Sequence, residues 1–354
     1  MTSTESSNFD SLLALGWGRD FQSAFAALGL VQAAPGRVAR VDRARCTVLG
    51  PAPVRAEWGR QLVATGDWVA VGHGASSGDE PAVLAVLPRR TAFVRDRTGA
   101  ETAAQVIAAN VDRVLLLIGL DVDLSSARLD RYLALAWQSG AVPVVVLTKS
   151  DTCSAARADE ARRWAEDASV GAEVCLVSAA TNAGIEELAS DHLAPGRTVA
   201  LLGPSGVGKS SLVNALAGEE LMATGTTRRD GKGRHTTTHG QLLVVPGRGI
   251  LLDTPGMRGL ALWNASEGLA QTFADVEELA SGCRFADCQH SGEPGCAVAL
   301  AITEGRLNSE RLASQRKLQR ELDALAIRQG DLLLRQDAQR RWRALSREAR
   351  RRPQ

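Results

Sequence analysis

The stretch Gly203-Pro204-Ser205-Gly206-Val207-Gly208-Lys209-Ser210 follows the apolar run Thr198 to Leu202 and opens the helical pattern Ser211 to Leu216. In a strand, glycine loop and helix arranged this way, backbone N–H groups wrap a phosphate. A lysine then reaches the β and γ phosphates, and a hydroxyl ligates Mg²⁺. The pattern gives these roles to Lys209 and Ser210, with Ser211 also among the nucleotide contacts. The glycines allow close backbone approach and supply positive φ. A loop of this kind belongs to an α/β sheet, whose other strands should flank residue 203 on both sides in the chain.

Apolar runs at Val111 to Leu120, Val142 to Leu147, Glu173 to Val177, Thr198 to Leu202 and Ile250 to Leu252 alternate with helical stretches. This predicts a mostly parallel, doubly wound sheet. Ligands bind such sheets at the carboxyl ends of strands, and three further motifs fall at such ends. Asp253-Thr-Pro-Gly256 offers a carboxylate that holds Mg²⁺ through water and a Gly256 N–H for a γ-phosphate. Thr148-Lys149-Ser150-Asp151 offers a guanine reader, because an ionised Asp151 accepts two adjacent N–H donors, as guanine N1 and N2 present and adenine does not. Lys149 lays its stem along the base. Elsewhere this motif usually begins with Asn, and Thr148 in its place is expected to weaken the bracing of the loop. Ser178-Ala179 is placed to offer a backbone donor to guanine O6.

In an ordinary GTPase the phosphate loop precedes the base motif, yet Asp151 precedes Gly203 here. A circular permutation explains the order without disturbing the sheet, with new termini between the Asp253 strand and the Val111 strand. Termini that lie close together at a surface make such a cut tolerable.

Around this sheet the texture changes twice. Residues 37–95 hold short runs, RVARVD, CTVLG, PVRAEWG, DWVAVG and AVLAVLP, separated by Gly, Pro, Asp and Ser, which predicts a small β-barrel of the OB type. Residues 1–36 carry Leu12, Leu13, Leu15, Trp17, Phe21, Phe25 and Leu28 at helical spacing and form an expected helical extension. The GTPase domain is assigned to 96–262, with the stretch Glu219 to Gly240 read as loop, and a zinc-binding helical domain to 263–354. In that last part Cys283, Cys288, His290 and Cys296 supply three thiolates and an imidazole, a closed tetrahedral set for one structural Zn²⁺. The whole chain of 354 residues has a formal net charge of +1. The segment from Arg306 onward holds 14 basic and 6 acidic residues, leaving an acidic body with a basic tail suited to a polyanion. The N-terminus has no basic region leading into an apolar stretch, and no run is long enough to span a bilayer, so a cytoplasmic protein is expected.

With these residues in view the chain resembles the RsgA (YjeQ) family of circularly permuted GTPases that act in small ribosomal subunit maturation. The likeness rests on Gly66-Asp-Trp-Val69, the permuted motif order, Gly233-Arg-His-Thr-Thr-Thr238, and Cys-x4-Cys-x-His-x5-Cys with Glu293-Pro-Gly inside it. The resemblance implies an OB-fold, a central GTPase and a zinc domain that bind ribosomal RNA and proteins of the small subunit, in a monomer. It also implies low intrinsic turnover stimulated by the subunit, with release on hydrolysis. By the same resemblance 233–238 is switch I, with Thr237 or its neighbour Thr236 a Mg²⁺ ligand. Met257 stands where many GTPases carry a water-orienting glutamine. A thioether cannot orient water, which makes His235 on switch I the candidate catalytic group beside Lys209.

Overall fold

The computed structural model describes residues 10–59, 62–73, 80–96, 104–222, 240–253, 265–327 and 330. The short N-terminal runs fold as β1 (Ala34–Val41), β2 (Arg45–Leu49), β3 (Val54–Glu57), β4 (Trp68–His73) and β5 (Pro81–Val86). Strand β1 pairs antiparallel with β2 and β4, β2 with β3, and β4 with β5, while β3 meets β5 in parallel at Glu57 and Ala82. The circuit β1-β2-β3-β5-β4-β1 therefore closes, giving the expected OB-type barrel. Val38, Cys46, Val48, Ala56, Val69 and Val83 fill it. Strand β1 begins before residue 37 because Ala34, Pro35 and Gly36 pair with Val71, Ala70 and Val69. The N-terminal extension is helical at 10–14 and in α1 (Arg19–Ala27). It covers one side of the barrel: Leu12, Leu15, Trp17 and Phe21 are buried with Trp68 and Leu87, and the Trp17 ring meets Trp68 edge-on at 4.7 Å.

The central sheet contains β8 (Arg113–Gly119), β9 (Val142–Thr148), β10 (Glu173–Leu176), β11 (Thr198–Leu202), β12 (Gln241–Val244) and β13 (Ile250–Asp253). Its order is β10-β9-β8-β11-β13-β12, parallel except for the edge strand β12. Helices α2 (Ser126–Ser139), α3 (Ala155–Ala168), α4 (Ile185–His192) and α5 (Lys209–Ala217) connect the strands. Val114 and Leu116 of β8 join one hydrophobic cluster while Leu115 and Leu117 join the other, so both faces are covered. Burial on both faces is why these strands read as unbroken apolar runs rather than as alternation.

Two elements depart from the sequence reading. Strands β6 (Ala92–Asp96) and β7 (Ala104–Ala109) form a separate two-stranded ribbon where no strand was expected. Its alanine-rich second strand carries little β propensity. Strand β12 follows directly on the stretch read as loop; at four residues it is too short to show a period, and its pairing with β13 and β1 defines it.

Beyond the sheet, α6 (Ser266–Thr272), α7 (Ala274–Ala280), α8 (Ala297–Thr303) and α9 (309–327) pack back against α2. Leu269, Phe273, Val298, Leu312 and Leu318 share one cluster with Leu129 and Leu133 of α2. Arg311 on α9 fastens this join. It pairs with the fully buried Asp130 of α2, with Asp275 at 3.0 Å and with the Thr272 carbonyl at 2.6 Å, its guanidinium over the Phe273 ring. Removing one partner of such a buried pair is strongly destabilising because it strands a charge.

The barrel joins the sheet through β1 and β12, which pair at Arg40 and Gln241, and through the Thr65 hydroxyl, which donates to the Gly240 carbonyl at 3.3 Å. Behind this seam Arg37 is fully buried. It donates to the carbonyls of Leu15, Gly66 and Asn110, linking the extension, the barrel and the start of the sheet. Among the described residues no helix is long and apolar enough to cross a membrane.

Candidate nucleotide site and metal centre

The phosphate loop leaves the central strand β11 and enters α5. Gly206 and Gly208 sit at φ +77° and +100°, conformations that L side chains rarely adopt, so the turns of this loop favour glycine at both places. The Lys209 ammonium lies over this loop, donating to the carbonyls of Gly203 and Pro204 at 2.8 and 2.6 Å. Asp253 ends β13, which neighbours β11. Burial pushes its carboxyl above the usual range, and the charge of Lys209 pulls it back. A divalent cation would complete that compensation.

The base loop leaves β9, two strands from β11 across β8. Thr148 is buried, and its hydroxyl donates to the Val207 carbonyl at 2.8 Å inside the phosphate loop. A β-branched hydroxyl at the strand end thus reaches the neighbouring loop directly, and Thr148 ties the base loop to the phosphate loop. Lys149 adopts a left-handed backbone at φ +62°, and its ammonium is 2.6 Å from Asp121 Oδ2. Asp151 accepts a hydrogen bond from the Ser178 hydroxyl, which itself accepts from the N–H groups of Ala180 and Thr181 at 3.2 Å. The Ser178 N–H is committed to the Ala183 carbonyl at 2.9 Å, so of the expected pair Ala179 is left as the donor toward a base. The roles of Asp121 and of the Ser178 hydroxyl were missed in the sequence, since neither belongs to a spacing pattern; both arise where separate strand ends meet. Gly256, Met257, His235, Thr236 and Thr237 lie outside the described residues, as do Arg228, Arg229, Lys232, Arg234 and the basic tail beyond 330.

The four residues expected to hold zinc come together. Cys283 Sγ and Cys296 Sγ are 3.9 Å apart, with His290 Nδ1 3.6 and 3.4 Å from them, and all four ligand atoms including Cys288 Sγ lie within 4.8 Å of one another. Zn–S bonds of about 2.3 Å and Zn–N bonds of about 2.0 Å set tetrahedral edges of roughly 3.5–3.8 Å, so the donor set fits the ion. The knuckle is shaped by local turns: His290 has φ +58°, and the Glu293 carboxylate accepts from the N–H groups of Gln289 and Ser291 at 3.0 and 2.6 Å.

Glu173, Cys175 and His192 also gather, but with different chemistry. Arg113 Nη1 is 2.9 Å from His192 Nδ1. A guanidinium only donates, so Nδ1 accepts and the ring proton sits on Nε2, facing Glu173 at 3.5 Å and Cys175 at 3.7 Å. Burial holds His192 below its usual value of 6.5 and pushes the Cys175 thiol up to about 11. A metal on Nε2 would have to displace that proton, so this cluster is a structural network.

A phosphate loop on the middle strand of a doubly wound sheet, with a base-reading loop upstream of it in the chain, defines a circularly permuted P-loop GTPase. The family model described as RsgA GTPase matches residues 86–263. The small ribosomal subunit biogenesis GTPase RsgA of Streptomyces avermitilis is 44% identical over 348 residues, covering 96% of this chain and 92% of that protein. The protein of the same name from Streptomyces coelicolor is 46% identical over 332 residues, covering 91% and 89%. The crystal structure of YjeQ from Thermotoga maritima matches with a TM-score of 0.59 at 26% identity, over 82% of this chain and 98% of that one. YloQ, described as a circularly permuted GTPase, shares the fold at a TM-score of 0.60 and 24% identity. The chain belongs to the RsgA GTPase family and is a GTP hydrolase.

Proposed function

We propose that this chain runs a Mg²⁺-dependent GTP cycle in maturation of the small ribosomal subunit, the role carried in the names of its Streptomyces relatives. The reading rests above all on the Thr148 to Val207 hydrogen bond, which joins the loop read as guanine-binding directly to the phosphate loop. Asp151, oriented by Ser178, accepts from guanine, and the Ala179 N–H meets O6. Lys149 lies along the base. Lys209 moves from its loop carbonyls to the β and γ phosphates, and Ser210 and Asp253 would hold Mg²⁺, which would neutralise charge on the phosphate oxygens. Gly256 contacts the γ-phosphate and Thr237 adds a Mg²⁺ ligand. The barrel, the zinc knuckle and the basic tail bind ribosomal RNA and protein. The protein works as a cytoplasmic monomer, with one structural zinc held by Cys283, Cys288, His290 and Cys296.

With Met257 in place of a water-orienting glutamine, turnover is slow until the subunit brings another group to the water, and His235 is that group. The experiment is GTP hydrolysis at saturating substrate with and without purified small ribosomal subunits, for wild type and His235→Ala. Stimulation of wild type supports the ribosomal role; neither stimulation nor binding removes it. Full stimulation of His235→Ala places the activating group on the subunit.

A further inference from the structure

We propose that Asp121 is a positioning residue for nucleotide binding, holding the Lys149 side chain in place before the base arrives. The inference rests on the reading of Lys149 as the wall of the base site. Asp121 lies just past β8, the strand between the phosphate-loop strand and the base-loop strand. Its backbone neighbour Leu120 donates to the Thr148 carbonyl at 3.0 Å, which ties the two strand ends together one residue before Lys149. Lys149 Nζ then meets Asp121 Oδ2 at 2.6 Å.

The end of β8 is shaped for this contact. A Cβ at Gly119 would stand 2.5 Å from Asp121 Oδ1, so the carboxylate folds back over Gly119 and a side chain there would have to displace it. Val207 Cγ2 of the phosphate loop would be 3.6 Å from the same Cβ, so the pair sits against the loop that Thr148 braces.

A lysine has many rotamers in water, and fixing its ammonium in advance removes that ordering from the binding step. The carboxylate also gives the ammonium a partner. Lys209 in the phosphate loop shows the alternative, with its ammonium on main-chain carbonyls. Lys149 and Asp121 side chains are 30% and 37% exposed, which makes the pair modest in strength, and loss of its charge corresponds to about fivefold weaker binding. Because the base does not react, the effect falls on ground state and transition state alike. It therefore raises KM and leaves kcat.

The test measures GDP affinity and the kcat and KM for GTP with full-length wild type, Asp121→Asn, Asp121→Glu, Lys149→Met and the Asp121→Asn/Lys149→Met double variant. Circular dichroism verifies that each is folded. Expected are a rise of about fivefold in KM and in the GDP dissociation constant for Asp121→Asn with kcat unchanged, and recovery in Asp121→Glu. No further loss is expected when Asp121→Asn is added to Lys149→Met, because contacting residues couple. Gly119→Ala, which crowds Oδ1, should reproduce the Asp121→Asn shift. Equal losses from Asp121→Asn in both backgrounds, or no loss where Lys149→Met does weaken binding, would overturn the role of Asp121. A neutral Lys149→Met would instead remove the reading of Lys149 itself.

Discussion

The nucleotide site and the zinc knuckle are both built from loops, but they are held in opposite ways. The nucleotide loops hang from the ends of β8, β9, β11 and β13, strands buried on both faces, and they bond to one another through Thr148 and Val207 and through Asp151 and Ser178. In the knuckle between Cys283 and Cys296 only Cys296 is buried, and Phe285 is 42% exposed within it. Its order comes from turns, from Glu293 and from a donor set that fits a tetrahedral ion. One site is preformed by a hydrophobic core; the other has a donor set whose order would come largely from a bound metal.

That contrast is most sharply tested at Cys288. Cys288→Ala is expected to release the one zinc, with loss of apparent binding energy on the order of 10 kcal/mol. Amide exchange between 283 and 296 should become fast while GTP affinity stays near that of wild type. Elemental analysis showing no zinc in freshly purified wild type, or GTP affinity lost together with the knuckle, would break the comparison. A smaller effect is expected from Asp151→Asn, which presents a donor to guanine N2 and should weaken GTP by about 2–3 kcal/mol while making xanthosine triphosphate competitive. Unchanged preference in a competition assay would take Asp151 out of the base site. Thr148→Val keeps the shape and removes the hydroxyl, leaving the Val207 carbonyl without that donor. A loss of about 1 kcal/mol should appear in both nucleotide affinity and melting temperature. Loss in melting temperature alone would mean that the brace serves the sheet and not the site.

The smallest effect concerns pH and the network on the far side of the sheet. His192 is held neutral when folded, chiefly by burial, with Arg113 and Arg197 adding to this and Glu173 and Asp191 opposing it. Its folded value lies below 6.5, so the unfolded chain binds the proton more readily as acid is added. The stabilising contribution is complete above pH 6.5 and declines as pH falls through the lower folded value. His192→Gln should flatten that part of a melting temperature profile, and an unchanged slope would assign acid sensitivity elsewhere.

The phosphate loop, the base loop and the gathering of Cys283, Cys288, His290 and Cys296 were legible in the sequence because each is a local pattern whose spacing carries its chemistry. So were the barrel strands, whose lengths and punctuation survive without partners. What stayed hidden depends on encounters between distant segments. Asp121 meets Lys149 only because β8 and β9 run parallel, and the Ser178 hydroxyl meets Asp151 only because β10 and β9 do. Thr148 was read against an Asn at the same place, although its hydroxyl finds a carbonyl 59 residues along the chain. Strand β12 gives no periodic signal in four residues.

Arg37 gives the joint between these parts a particular response to ionic strength. Burial lowers its value to about 10, so it remains charged in neutral solution, and the atoms it grips are the carbonyl oxygens of Leu15, Gly66 and Asn110. Surface pairs such as Arg45 with Glu80, or Arg90 with Asp20, lose strength as ions accumulate around them. A buried cation gripped by carbonyls is screened far less. Concentrated salt that would strip the protein from a polyanion therefore leaves the extension, the barrel and the sheet fastened to one another.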